Sequence, residues 1–200
     1  MAVFRYLDLV WMGNFKKASQ MAHAAMRVDP VDYNSYAVLY FVSLYSGQLD
    51  DATNYLKERK RVFGNSRGMT SMEMRLQFDK GNYQKVIQQC DSLKAKGESL
   101  SDQGLFLLTS AYFKAKKIQQ SNDILRQLKS IDDPNGDAFY DIALAYAGRH
   151  ETDSCFRYLV KSHQKNGRLL KTLKIEPILK GLQKDPRYIK LYQECGFDKY

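Results

Sequence analysis

Two hundred residues with 44% hydrophobic content and scarce proline are ordinary for a folded chain and ample for a buried core. No stretch approaches the roughly 18 consecutive apolar residues of a membrane span, and the N-terminal residues Met1 to Arg5 lack the basic-then-apolar layout of a secretory signal. The net charge of +9 is uneven: residues 156–200 hold 11 Lys/Arg against 4 Asp/Glu, which leaves +2 for residues 1–155.

The first hairpin begins at once. Phe4, Leu7 and Trp11 fall on one helical face, Gly13-Asn14 makes a turn, and Phe15, Ala18, Ala22 and Ala25 follow at helical spacing. This second helix ends before Asp29-Pro30, because proline disfavours a helical residue ahead of it. No cap or loop precedes Met1, so the start reads as a cut from a longer protein. Hairpin two opens with Asp32 as N-cap. Tyr36, Leu39, Tyr40 and Ser43 share one side of its first helix, Phe41 and Tyr45 lie i, i+4 on another, and Leu49, Ala52 and Leu56 continue in its second. The run Lys57-Glu58-Arg59-Lys60-Arg61 is expected to complement the negative helix end and face water. Residues 64–68, with Gly64, Asn65 and Gly68, are the clearest break in the chain.

Hairpin three has Glu73 and Gln77 where an apolar stripe is wanted, so Met69, Met72 and Leu76 make the better stripe of a displaced first helix. Tyr83, Val86, Ile87, Cys90 and Leu93 form its second. Ser99 or Ser101 caps the next start. Hairpin four runs from Leu105, Leu108 and Tyr112 through Ile118, Ser121, Leu125 and Leu128 to a turn at Asp132-Asp133-Pro134-Asn135-Gly136. Hairpin five runs from Phe139, Ile142, Ala143 and Tyr146 to Cys155, Tyr158 and Leu159. After Gly167 short helices around Leu173, Ile178, Leu182 and Tyr188 are expected to close the last hairpin.

One segment recurs along this series: a turn residue, an aromatic or aliphatic residue two places on, and a small residue three places after that. It starts at Gly13, Gly47, Gly81, Lys116 and His150, at steps of 34, 34, 35 and 34 residues. A period of this size marks a solenoid of helical hairpins. With Trp11, Gly13, Phe15, Ala18, Ala22, Ala25 and Pro30 in the first copy, Tyr36, Leu39, Gly47, Leu49 and Ala52 in the second, and Gly81, Tyr83 and Val86 in the third, the chain resembles the tetratricopeptide repeat family. Tyr40 and Met74 depart from it where the family prefers Gly or Ala, and Lys116 and His150 replace its turn glycine. The resemblance implies an all-α fold, a right-handed superhelix of about five antiparallel hairpins over residues 1–164 (about 1–30, 31–65, 66–99, 100–134 and 135–164). A helical capping segment would then fill residues 165–200. That tail is similar to the closing segment of repeat regions in multidomain bacterial signalling proteins.

In such a scaffold the first helices line a concave groove. Carried over residue by residue, the groove consists of Asn34, Ala37, Phe41 and Tyr45, then Arg75, Phe78 and Asp79, then Phe106, Ser110, Phe113 and Lys114, then Tyr140 and Leu144. The subgroup that grips acidic C-termini needs Lys and Asn where this chain has Ala37 and Phe41, so the likeness does not extend to that function. An aromatic groove suits a peptide or helix with apolar anchors.

Catalytic signatures are missing. There is no Gly-rich phosphate loop, His23, His150 and His163 are scattered, and Cys90, Cys155 and Cys195 have no metal spacing and read as reduced thiols of a cytoplasmic protein. The expectation is a non-enzymatic protein- or peptide-binding scaffold without cofactor, the interaction module of a larger signalling protein. Behind it stand contact of the basic end with nucleic acid or an acidic partner, and self-association.

Overall fold

The computed structural model describes residues 3–64 and 66–197, without the side chains of Val3, Phe4, Arg5 and Arg67. The expected place of Phe4 on the first helical face, and of Asn65 in the break, lie outside the described residues. Every regular element among those residues is helical, as the periodicity predicts: eleven α-helices and two short 3-10 segments. None is long and apolar enough to cross a membrane. The chain divides into two compact units, Met1–Lys80 and Gly81–Tyr200, at the turn inside the third predicted hairpin.

The first unit holds α1 (Val3–Trp11), α2 (Phe15–Val28), α3 (Tyr33–Tyr45), α4 (Leu49–Phe63) and α5 (Arg67–Asp79). Consecutive helices pack together, and α1 also meets α3. The cap at Asp32 forms as expected: its carboxylate accepts the Ser35 N–H at 2.7 Å. The core gathers Tyr40 and Leu44 from α3, Ala52 and Leu56 from α4, and the predicted stripe of Met69, Met72 and Leu76 from α5. Tyr40 stands where the family prefers a small residue, yet it is fully buried. Its hydroxyl donates to the Met72 carbonyl at 2.7 Å. That bond satisfies the one polar group of the ring inside the core, and burial pushes the phenol pKa up.

The charged run ending α4 does not all face water. Arg59 is only 5% exposed. Its guanidinium carbon lies 3.9 Å from the Tyr33 ring centroid, and Nη1 points at the sulfurs of Met69 and Met72, at 3.4 and 2.8 Å. Seven residues after Ala52 and three after Leu56, position 59 falls in helical phase on the buried side of α4, and this placement overrides the charge pattern of its neighbours. Nε has no hydrogen-bond partner, and burial pulls the guanidinium pKa below its ordinary value. Removing a buried, incompletely partnered charge is neutral or stabilising when an apolar side chain of similar length fills the space. Arg59→Met is therefore expected to raise the stability of the first unit by about 1 kcal/mol, while Arg59→Ala leaves a cavity and lowers it by about 2 kcal/mol. Urea unfolding of the two variants beside the parent checks both signs.

The second unit holds α6 (Tyr83–Ala95), α7 (Asp102–Lys114), α8 (Ile118–Lys129), α9 (Asp137–Gly148), α10 (Thr152–Gln164), the 3-10 segments Arg168–Thr172 and Pro177–Leu182, and α11 (Pro186–Glu194). Of the two serines expected to cap α7, Ser101 does so, accepting the Gly104 N–H at 3.2 Å. α7 and α8 meet at a reciprocal pair of hydrogen bonds. Thr109 Oγ1 donates to the Ser121 carbonyl and Ser121 Oγ donates to the Thr109 carbonyl, both at 2.7 Å. Both hydroxyls are buried and paired, so two helix backbones approach without leaving a polar orphan.

The recurring segment has one local geometry throughout. Its turn residue is left-handed in every copy, with φ of 74° at Gly13, 81° at Gly47, 76° at Gly81, 60° at Lys116 and 62° at His150. The backbone N–H after the turn residue reaches back five residues, from Asn14 to Leu9, Gln48 to Ser43, Lys117 to Tyr112 and Glu151 to Tyr146, satisfying a helix-end carbonyl. The small position, Ala18, Ala52, Val86, Ser121 and Cys155, is fully buried in all five. Lys116 and His150 thus adopt the turn without glycine, at a cost of about 1 kcal/mol each.

Candidate binding surface

In the first unit, α1 and α3 bring three aromatic rings together. Phe41 and Tyr45 are one turn apart on α3 and stack at 6.2 Å between centroids. Trp11, the last residue of α1, meets Phe41 edge-on at 5.3 Å and Tyr45 at 5.9 Å. Phe41 also packs on Tyr40 and the core. All three are half-buried, so their inner edges anchor them while part of each ring reaches the surface. Asn34 and Ala37, also half-buried, continue the face toward the start of α3.

α5 borders this surface with Arg75. Its Nε donates to Asp79 Oδ2 at 2.8 Å, and its guanidinium lies 5.8 Å from the Tyr45 centroid. Arg75 and Phe78 are both buried. Arg75 therefore acts as a paired cation bracing Tyr45, and Phe78 as core, where an open groove lining was expected. Trp11 was expected only as a repeat-packing residue. It stands two places before its turn glycine, as Tyr45 does before Gly47, and that shared phase is the signal that assigns both to one surface.

The second unit departs further from expectation. Phe106, Ser110, Tyr140 and Leu144 are buried, so they do not line an open groove. For α9 the cover is the chain's own C-terminal segment, since both 3-10 segments pack against that helix. Tyr140 Oη and Thr172 Oγ1 are 2.8 Å apart. Asp137 accepts from the Arg168 guanidinium at 2.7 Å and from the Leu169 N–H at 3.1 Å. A Cβ on Gly148 would sit 3.2 Å from both Ile178 Cδ1 and Ser110 Oγ. The tail thus packs along α9 as well as against α10. Sequence phase could not reveal this, because the tail has no period to align. Phe113 and Lys114 remain half-buried: Arg149 lies 5.3 Å from the Phe113 centroid, and Lys114 Nζ is 3.3 Å from His150 Nε2.

The thiols are placed for packing. Burial pushes Cys90 and Cys155 up to about 12, far above the range in which a thiolate nucleophile is populated near neutral pH. Cys195 Sγ lies 3.5 Å from His163 Nδ1, with its pKa also raised by burial. Among the described residues no group of three or more His, Cys, Asp or Glu side chains is arranged to hold a metal ion. Compared with protein-family models and with curated proteins, the chain matches none.

Proposed function

We propose that this chain is a helical-repeat binding module of the tetratricopeptide type, five hairpins and a helical tail, which recruits a protein or peptide partner without catalysing a reaction. The common left-handed turn and the five fully buried small positions support the repeat reading. The observation that carries the binding reading is the half-buried trio Trp11, Phe41 and Tyr45 on α1 and α3. Aromatic side chains held rigid by their neighbours offer large contact area at little further entropy cost, the usual property of interface anchors. The complementary ligand is a segment whose apolar side chains cover those rings. Attachment to a signalling output domain in the cytoplasm fits this role.

Selection of a random 12-residue peptide library on the whole chain tests the reading, with Tyr45→Ala and Phe41→Ala/Tyr45→Ala as comparison proteins. Peptides rich in apolar anchors are expected, binding the single variant about tenfold more weakly and the double variant more weakly still, since a buried aromatic anchor contributes about 1.4 kcal/mol or more. Equal affinity for the parent and for a double variant of unchanged helicity would overturn the aromatic surface as the binding site.

A further inference from the structure

A second surface lies on α10 and α11, within the second unit. The two helices enclose an open cleft of about 690 Å³. Val160 of α10 supplies its exposed apolar surface, with Phe156 of α10 and Leu191 of α11 almost wholly buried beneath it, and the carboxylates of Asp153 and Glu194 also line it. Val160 is 41% exposed, a large apolar residue left facing solvent at the cleft.

Cations rim this apolar floor, and they are not equivalent. Arg187 is held by Asp153 at 2.7 Å and Asp185 at 2.8 Å, and its guanidinium covers Phe156 at 4.3 Å. It is a fixed wall. Lys190 has Glu194 at 3.8 Å. Arg157 and Lys161 line the same cleft from α10 and are exposed. With Lys165 they stand at i, i+4 and i+8, one stripe along the helix. Among the described residues, none of these three has a carboxylate within ion-pairing distance. The surplus positive charge of residues 156–200 adds to their field.

We propose that this cleft docks an acidic peptide segment carrying one or two apolar anchor side chains. The anchors seat against Val160, and the segment's carboxylates pair with Arg157 and Lys161, neither of which has a carboxylate partner among the described residues. Charge complementarity and the exposed apolar surface select this occupant together. A phosphodiester strand would use the cations but leave that apolar surface uncovered. The ring that lines the cleft, Phe156, is buried and covered by the Arg187 guanidinium at 4.3 Å, so it offers no face for a base to stack on. The proposal is independent of the aromatic surface on α1 and α3.

The test is a 12-residue random peptide selection on the whole chain, counter-selected on Arg157→Glu/Lys161→Glu. Both positions are exposed, so the fold is retained, and circular dichroism verifies it. The expected survivors are acidic peptides with one or two aliphatic or aromatic residues. They should bind the parent at least tenfold more tightly than the charge-reversed variant, weaken severalfold from 50 to 300 mM NaCl, and bind Phe41→Ala/Tyr45→Ala as they bind the parent. Val160→Ser, which removes the apolar contact without adding charge, should weaken them without altering that salt response. Three results would each overturn the proposal. One is a selection with no class of peptides lost on charge reversal. Another is a 20-nucleotide oligo-dT that binds and loses affinity equally on charge reversal. The third is concentration-dependent self-association abolished by Arg157→Glu/Lys161→Glu.

Discussion

Replacing Gly136 with alanine is expected to lower the melting midpoint of the second unit by about 10 °C. Gly136 precedes α9 with φ of 80°, a backbone that costs an L-residue about 1 kcal/mol. The turn is also packed hard against the end of α10. A Cβ there would lie 2.7 Å from Lys165 Cβ and 2.9 Å from the Ser162 carbonyl oxygen. The second neighbour is backbone and cannot rotate away. Ser162 Oγ donates to the Gly136 carbonyl at 2.7 Å, and Asp133 accepts the N–H groups of Gly136 and Phe139 at 2.7 and 2.9 Å. The added methyl group must break some of these contacts, costing about 2 kcal/mol more. Gly97 is the control: its φ is 74°, and a Cβ there meets nothing within 4 Å. Gly97→Ala should lose only the conformational part, about 1 kcal/mol and 3–4 °C. Scanning calorimetry of both variants decides the point, and equal losses would mean that the close approach at Gly136 does not matter.

Removal of residues 168–200 should cost the second unit a large part of its stability. The tail buries Leu170, Leu173, Leu179, Tyr188 and Leu191. At about 2 kcal/mol for each side chain, the gross contribution is on the order of 10 kcal/mol. Losing this group of buried side chains together is expected to cost the second unit about 4 kcal/mol, the upper range for the loss of core contacts. Set against the roughly 5–15 kcal/mol that stabilises a typical domain, this is decisive. It also uncovers Tyr140 and strips Asp137 of its partners Arg168 and Leu169. A shortened chain ending at Gly167 should bind an apolar-surface dye and lose amide-exchange protection in α9 and α10. A second unit that keeps its protection and melts within a few degrees of the parent would show that the tail is dispensable.

The helical class, the turn positions and most helix boundaries were legible because each rests on local chemistry. Asp32 caps α3 and Ser101 caps α7 through their own side chains, and proline stops α2 at Val28. The small position of the recurring segment was readable even as Ser121 or Cys155, since helical phase alone carries it inward. Arg59 was misread because its sequence neighbours are charged, although its phase on α4 points to the core. The candidate surface was only partly legible. Phe41 and Tyr45 lie on one face of one helix, so their pairing follows from spacing. The enclosure of Ser110, Tyr140 and Leu144 depends on residues that come later in the chain and carry no repeat.

By itself, the sequence determined that the chain is helical, where each hairpin turns, and which small residues go inside. Those are properties of residues within a few positions of one another, set by backbone sterics and the 3.6-residue period. Only the tertiary structure decided which aromatic faces stay open. That outcome depends on which distant segment reaches a face first: the C-terminal 3-10 segments take α9, Tyr33 and two methionines enclose Arg59, and Trp11, Phe41 and Tyr45 are left half-exposed.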